Sequence, residues 1–239
     1  MIEHVERFPR LRDRAIFVGN PDDIVPDTFG PDLPEIREWT EQHYEFSGYI
    51  TGIDPGDLAN RTELRRDLGW SSDERVCVVT VGGSGVGGHL LRRVSDAYDA
   101  ARERVPGLRM VVVTGPRLDP DVIAARPGLE THAFVPDLYR QLGASDLAVV
   151  QGGLTTTMEL TAARRPFLYI PLQHHFEQNF HVRHRLGRYG AGRCVSYDEA
   201  SDPDWLAQAI AEEIDADVAY RSVETAGAER AATLLAELL

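Results

Sequence analysis

The chain has 239 residues and a mass of 26.6 kDa, and its 43% apolar and 8% aromatic residues suffice to bury the core of one domain or of one domain with an appendage. Its 38 acidic residues against 25 basic ones give a formal net charge of -13, which argues against a nucleic-acid surface, because phosphate-backbone binding needs a clustered basic footprint. Every basic residue is Arg, so a P-loop lysine, a Schiff-base lysine and a lysine general base are all excluded.

The first residues, 1–9, are charged throughout and lack the apolar stretch of a signal peptide, and no apolar run approaches the roughly 20 residues that span a bilayer. Cys77 lies inside an apolar run and Cys194 follows a Gly-rich turn, so a disulfide framework is not expected. The expected setting is the cytosol, with at most peripheral membrane contact. Residues 1–57 are dominated by turn chemistry at Asn20-Pro21-Asp22-Asp23, Gly30-Pro31-Asp32 and Asp54-Pro55-Gly56-Asp57, with one amphipathic helix over 35–46. They are read as a connector. Residues 58–239 are read as the main domain.

From residue 60 the pattern becomes regular. Helices are expected over 61–68, from the Gly-rich turn to 104, and over 120–125, 137–143, 155–163, 177–189, 203–214 and 222–239. Strands are expected over 75–81, 109–114, 129–135, 146–150 and 167–170. Continuously apolar strands alternating with helices imply an α/β fold with a Rossmann-like parallel sheet covered by helices on both faces. Ligands of such sheets sit outside the C-terminal strand ends.

Three such ends carry candidate chemistry. After the first strand, Gly83, Gly85 and Gly88 satisfy G-x-G-x-x-G, whose glycines let backbone N–H groups approach a diphosphate. The acid that should take the ribose hydroxyls of a dinucleotide is missing at the tip of the second strand, where Arg117 instead suits a 2′-phosphate. An NADP-dependent oxidoreductase therefore stands as an alternative. After strand 146–150, Gly152-Gly153 leads into a helix whose first turn, Leu154-Thr155-Thr156-Thr157, presents unpaired N–H groups and a positive dipole end to a diphosphate. Glu159, one turn further, is placed to accept two ribose hydroxyls. After strand 167–170, the segment from Gln173 to Asn179 offers the amide and acid groups that a hydroxyl-rich ligand needs, or else caps the next helix.

His174, His175, His181 and His184 crowd one segment, but no His-Glu-x-x-His order or nearby thiolate accompanies them, and no metal is expected. Asp215-Ala216-Asp217 imitates a metal-binding Asp-x-Asp, yet it follows a closing helix and is read as surface charge.

The order Gly82-Gly83-Ser84, Phe134-Val135-Pro136-Asp137, Gly153-Leu154-Thr155 through Glu159, Pro171 through Gln178-Asn179, and Gly190-Ala191-Gly192 resembles the C-terminal, donor-binding half of GT-B glycosyltransferases, family 28 above all. The resemblance runs from about residue 48 to the C-terminus. It implies a UDP-sugar donor, N-acetylglucosamine as the sugar, and inverting transfer with neither metal nor cofactor. It implies that Gly83, Ser84 and Gly85 face the diphosphate and that Val135, beside Phe134, reads the uracil. Gly153, Leu154, Thr155 and Thr156 would hold the phosphates and Glu159 the ribose, with Glu177, Gln178 and Asn179 at the sugar.

Gln151 stands where related enzymes often carry a His, and the loop from Gly85 to His89 is longer than theirs and echoes a motif of the acceptor half. His89 is the one candidate base in this chain. The acceptor half and the usual base are expected from a missing N-terminal domain or a separate protein. A nucleotide-sugar-binding subunit without catalysis is the further alternative.

Overall fold

The computed structural model describes residues 2–8, 12–52, 55–58, 60–83 and 85–239. They group into two compact units, residues 1–52 with 223–239, and residues 53–222. The first unit contains α1 (Ile2–Arg7), β1 (Ile16–Val18), α2 (Ile36–His43) and β2 (Glu45–Gly48), with a helix at Gly227–Ala236 from the end of the chain. β1 and β2 pair in parallel. Trp39 is the anchor, buried edge-on to Phe29 and stacked on His43 one helical turn later, with ring centroids 4.3 Å apart. Arg230 of the terminal helix donates to the Ser47 carbonyl at 2.6 Å. The segment read from its turns as a connector thus carries strands and a buried aromatic cluster of its own.

The second unit holds α3 (Arg61–Asp67), β3 (Arg75–Thr80), α4 (Gly88–Arg104), β4 (Leu108–Val113), β5 (Leu129–His132), α5 (Leu138–Ala144), β6 (Leu147–Val150), α6 (Leu154–Ala162), β7 (Phe167–Tyr169), α7 (Arg183–Tyr189), β8 (Arg193–Cys194) and α8 (Pro203–Glu213). Its six strands form a parallel sheet in the order β5-β4-β3-β6-β7-β8. Alternate strand residues Cys77, Val79, Met110, Val112, Leu147 and Val149 pack in one cluster with Leu91, Val94 and Tyr98 of α4 and Leu206 and Ile210 of α8. Val76, Val78, Ala148 and Val150, pointing the other way, are equally buried. Two buried faces explain why the strands are apolar without alternation.

Several boundaries differ from expectation. β5 stops at His132 because its partner β4 runs out at Val113, which frees Ala133 to Pro136 as a loop. The helix expected over 120–125 is a three-residue 3-10 turn at Pro120–Val122, capped by Asp119. The helix expected over 177–189 is divided, with π-helical winding at Glu177–Val182 before α7. β8 lies outside the expected strands.

Candidate functional site

The sheet order reverses direction between β3 and β6. From β3 the chain proceeds to β4 on one side, and from β6 to β7 on the other, while Thr80 and Val150 are register partners at the adjoining strand ends. Right-handed crossovers then send α4 and α6 to opposite faces, which opens a crevice above these two ends. Two glycine segments flank it. The first, Gly82 to Gly88, leads into α4. It rests on the turn after β4, where Gly115 passes so close to Gly82 that a Cβ would stand 2.6 Å from the Gly82 carbonyl oxygen. The second, Gln151 to Gly153, leads into α6, with Gly152 at φ +87°, a backbone conformation that excludes most side chains.

Gly153 is the N-cap of α6 and offers no side-chain cap, and a Cβ built on it meets nothing within 4 Å. Space is thus open at Gly153, beside the N–H groups and positive dipole end of the first helical turn. Thr155 is exposed, Leu154 and Thr156 are half-buried, and Thr157 turns inward, where its hydroxyl donates to the Gly153 carbonyl at 2.9 Å. Glu159 is half-buried, and among the described residues its carboxylate has neither a cation nor a hydrogen-bond donor. Burial pushes its pKa above the ordinary glutamate value.

Phe134 and Val135 leave the same edge after β5. The Phe134 ring is 70% exposed, unusual for so large an apolar group, and the N–H and carbonyl of Val135 bond to no described residue. Glu177, Gln178 and Asn179 follow β7, next to β6. The Gln178 side chain is buried and accepts from the Leu172 N–H at 2.9 Å, while the Asn179 amide donates to the carbonyls of Leu172 and His175 at 2.6 and 2.9 Å. These amides fold the loop that follows β7, a structural duty their sequence position shares with sugar contact. Glu177 is exposed.

All the expected donor-site residues that are described thus project from one edge of the sheet. Ser84, expected to face the diphosphate, lies outside the described residues. His89 is exposed on the first turn of α4, with an Arg92 nitrogen 3.4 Å from its Nδ1. Among the described residues no three His, Cys, Asp or Glu side chains are grouped to hold a metal ion. Burial lowers the His181 pKa, with Arg185 and His184 adding to the effect against the opposing charge of Glu177. One residue gains weight: Gln151 is buried just before the two glycines, and its Nε2 has no hydrogen-bond partner. Only its place beside Gly152 marks it in the sequence.

Residues 76–238 match the profile of the glycosyltransferase family 28 C-terminal domain. The chain belongs to this family. The chain is 30% identical over 219 residues to an uncharacterized glycosyltransferase of Methanopyrus kandleri, a match covering 90% of this chain and 60% of that one. It is 36% identical over 126 residues to the UDP-N-acetylglucosamine--N-acetylmuramyl-(pentapeptide) pyrophosphoryl-undecaprenol N-acetylglucosamine transferase of Mycolicibacterium vanbaalenii, covering 52% of this chain and 30% of the relative. Among solved structures, the calicheamicin glycosyltransferase CalG4 superposes with a TM-score of 0.58 at 17% identity, over 99% of this chain and 54% of that one. MurG of Acinetobacter baumannii gives 0.56 at 15% identity, over 97% and 62%.

At these identities the likeness is one of fold, and the fold is that of GT-B glycosyltransferases. The chain spans less than two thirds of the length of each of these proteins. Its family places the glycine loops in a glycosyltransferase rather than in the NADP-dependent oxidoreductase that Arg117 allowed.

Proposed function

We propose that this chain binds the donor of a GT-B glycosyltransferase, a UDP-sugar with N-acetylglucosamine as the sugar, and that an acceptor-binding domain outside it completes the enzyme. The observation that carries the reading is Glu159, a half-buried carboxylate without a partner among the described residues, one turn beyond an uncapped helix start at the reversal of the sheet. An ionised carboxylate is acceptor-only and matches two vicinal ribose hydroxyls. The diphosphate then falls on the N–H groups of Leu154, Thr155 and Thr156, with Gly83 and Gly85 facing it across the crevice. The exposed Phe134 and the unbonded peptide groups of Val135 suit a pyrimidine edge, and Glu177, Gln178 and Asn179 suit the sugar.

In the reaction an acceptor hydroxyl attacks the anomeric carbon as the bond to the UDP oxygen breaks, inverting the centre. The acceptor proton passes to a base on the acceptor side, and His89 is the candidate within this chain. Charge growing on the departing diphosphate meets the positive end of α6, which supplies without a metal the stabilisation a divalent cation gives elsewhere. The work is done in the cytosol, where nucleotide sugars are the donors.

Isothermal titration of the chain with UDP tests the reading. Saturable binding is expected, weakened roughly 10- to 100-fold in Glu159→Ala, the loss of about 1.5–3 kcal/mol that accompanies removal of hydrogen bonds to a charged group. Absence of UDP binding, or equal affinity in the variant, overturns it. Transfer from UDP-N-acetylglucosamine, assayed with and without a candidate acceptor-domain protein and in the presence of a chelator, tests the sugar, the division of labour and the metal independence.

A further inference from the structure

The opposite edge of the same sheet carries a second constellation that donor binding leaves unused. Arg61 at the start of α3, the Ser145-Asp146 turn into β6, the Arg164-Arg165-Pro166 turn between α6 and β7, and residues 215–218 after α8 surround a cavity of about 300 Å³. Its carboxylates are largely committed. Asp146 accepts from the Val76 N–H at 2.7 Å, from Arg65 at 2.9 Å and from Arg61. Asp215 is paired with Arg75. Two guanidiniums remain. Among the described residues Arg164 donates only to the Ser222 hydroxyl, at 3.2 Å. Arg165 is half-buried, its Nε is buried without a hydrogen-bond partner, and no carboxylate pairs with it among the described residues.

A guanidinium withdrawn from water without an anion is unfavourable unless something supplies one. Burial and the nearby charge of Arg61 both depress the Arg165 pKa, against a weaker opposing pull from Asp146. Arg164 stands at φ +52°, the left-handed position after a helix that glycine ordinarily fills, so a charged side chain is kept where a smaller residue costs less. In a chain of net charge -13, anions are repelled at long range and must be captured locally.

We propose that this cavity binds a phosphate dianion, with Arg165 and Arg164 as its ligands, at a site distinct from the donor crevice. Guanidinium forks match phosphate oxygens in bidentate fashion, and two forks lining one cavity without committed carboxylates can neutralise both charges. Asp217, exposed at the rim, opposes the anion and limits affinity. The source is a soluble phosphomonoester or the headgroup of a lipid bearing one.

The test is a titration of the full, ¹⁵N-labelled chain with inorganic phosphate at constant ionic strength, followed by NMR. Saturable shifts are expected at residues 164, 165 and 215–218 and at the Arg165 Nε. Affinity should fall at least tenfold in R165Q, persist in part in R165K and rise severalfold in D217N. Shifts confined to residues 152–157, shifts that do not saturate, or shifts at the cavity that R165Q leaves unchanged overturn the proposal. Should R165Q fail to fold, R164Q takes its place, since that side chain is exposed. Sedimentation with phosphatidic-acid vesicles against pure phosphatidylcholine vesicles separates the sources: Arg165-dependent sedimentation assigns a headgroup, and phosphate shifts without sedimentation assign a soluble ester.

Discussion

Glu159 is held half-buried beside the crevice at the reversal of the sheet with its carboxylate unbonded by any described residue, and burial lifts its pKa above the usual glutamate range. Ribose hydroxyls donate to the ionised form, so a bound nucleoside draws that pKa back down. Binding therefore releases a proton wherever the free protein still carries one. UDP affinity is predicted to be level well above the raised value and to fall as pH drops through it, the sign required when the bound state holds fewer protons than the free state. Titration calorimetry at a mildly acidic pH, in two buffers of different ionisation enthalpy, should show proton release that Glu159→Gln abolishes. Equal heats in the two buffers for the unmodified chain would count against a ribose contact. Gln151 belongs to the same scale: its buried amide places a donor without a charge, so this position adds no titration of its own.

The loop after β7 shows how one element serves two purposes. Pro171 to Phe176 is folded by three side-chain hydrogen bonds, one to Gln178 and two from Asn179, both of which sit on the π-helical turn. Widened turns of this kind often mark functional sites, because they redirect side chains that a regular helix would align. Asn179→Asp is predicted to be worse than Asn179→Ala, since it sets a carboxylate against two carbonyl oxygens and strips both of their donor. The aspartate variant should lose about 1–3 kcal/mol in urea unfolding and expose the amides of residues 171–176 to faster hydrogen exchange. Equal losses in the two variants would mean that the carbonyls find other donors. This duty was not legible in the sequence, which placed Gln178 and Asn179 at a strand end but could not reveal that a loop folds back on them. The strands were legible because burial on both faces makes them continuously apolar, as in Val76 to Val79. β8, two residues long, left no such run. The π-helical turn was hidden for another reason: its residues follow the same apolar spacing as the α-helix that continues it. The glycine segments could be read because Gly115 and Gly152 answer to backbone constraints that few other residues satisfy.

At the scale of the molecule, the family match over residues 76–238 extends from the sheet unit into the terminal helix that groups with residues 1–52, so the domain as a family unit is not the same as either compact unit. Within the sheet unit, the edge remote from the crevice is tied together by Asp146. The carboxylate precedes β6, receives the Val76 N–H of β3 and joins Arg61 and Arg65 of α3 to the sheet, with Asp146 and Arg65 both buried. Burial resists its ionisation, but the Val76 N–H and the two guanidiniums outweigh that cost and hold the carboxyl below the ordinary range. The sign follows: a carboxyl depressed in the folded state contributes stability that is present in full above its unfolded value of about 3.9 and is lost as pH falls through the folded one. Asp146→Asn should therefore cost about 3 kcal/mol near neutrality, the lower end of the range for a broken buried pair, because Arg65 keeps the carbonyls of Ser71, Glu74 and Ala144 as acceptors. Urea unfolding at a series of pH values should show the gap between the two proteins narrowing below about pH 4. Parallel curves would mean that the gap does not depend on ionisation of Asp146, and the charges that fasten α3 to the sheet would then not be its source.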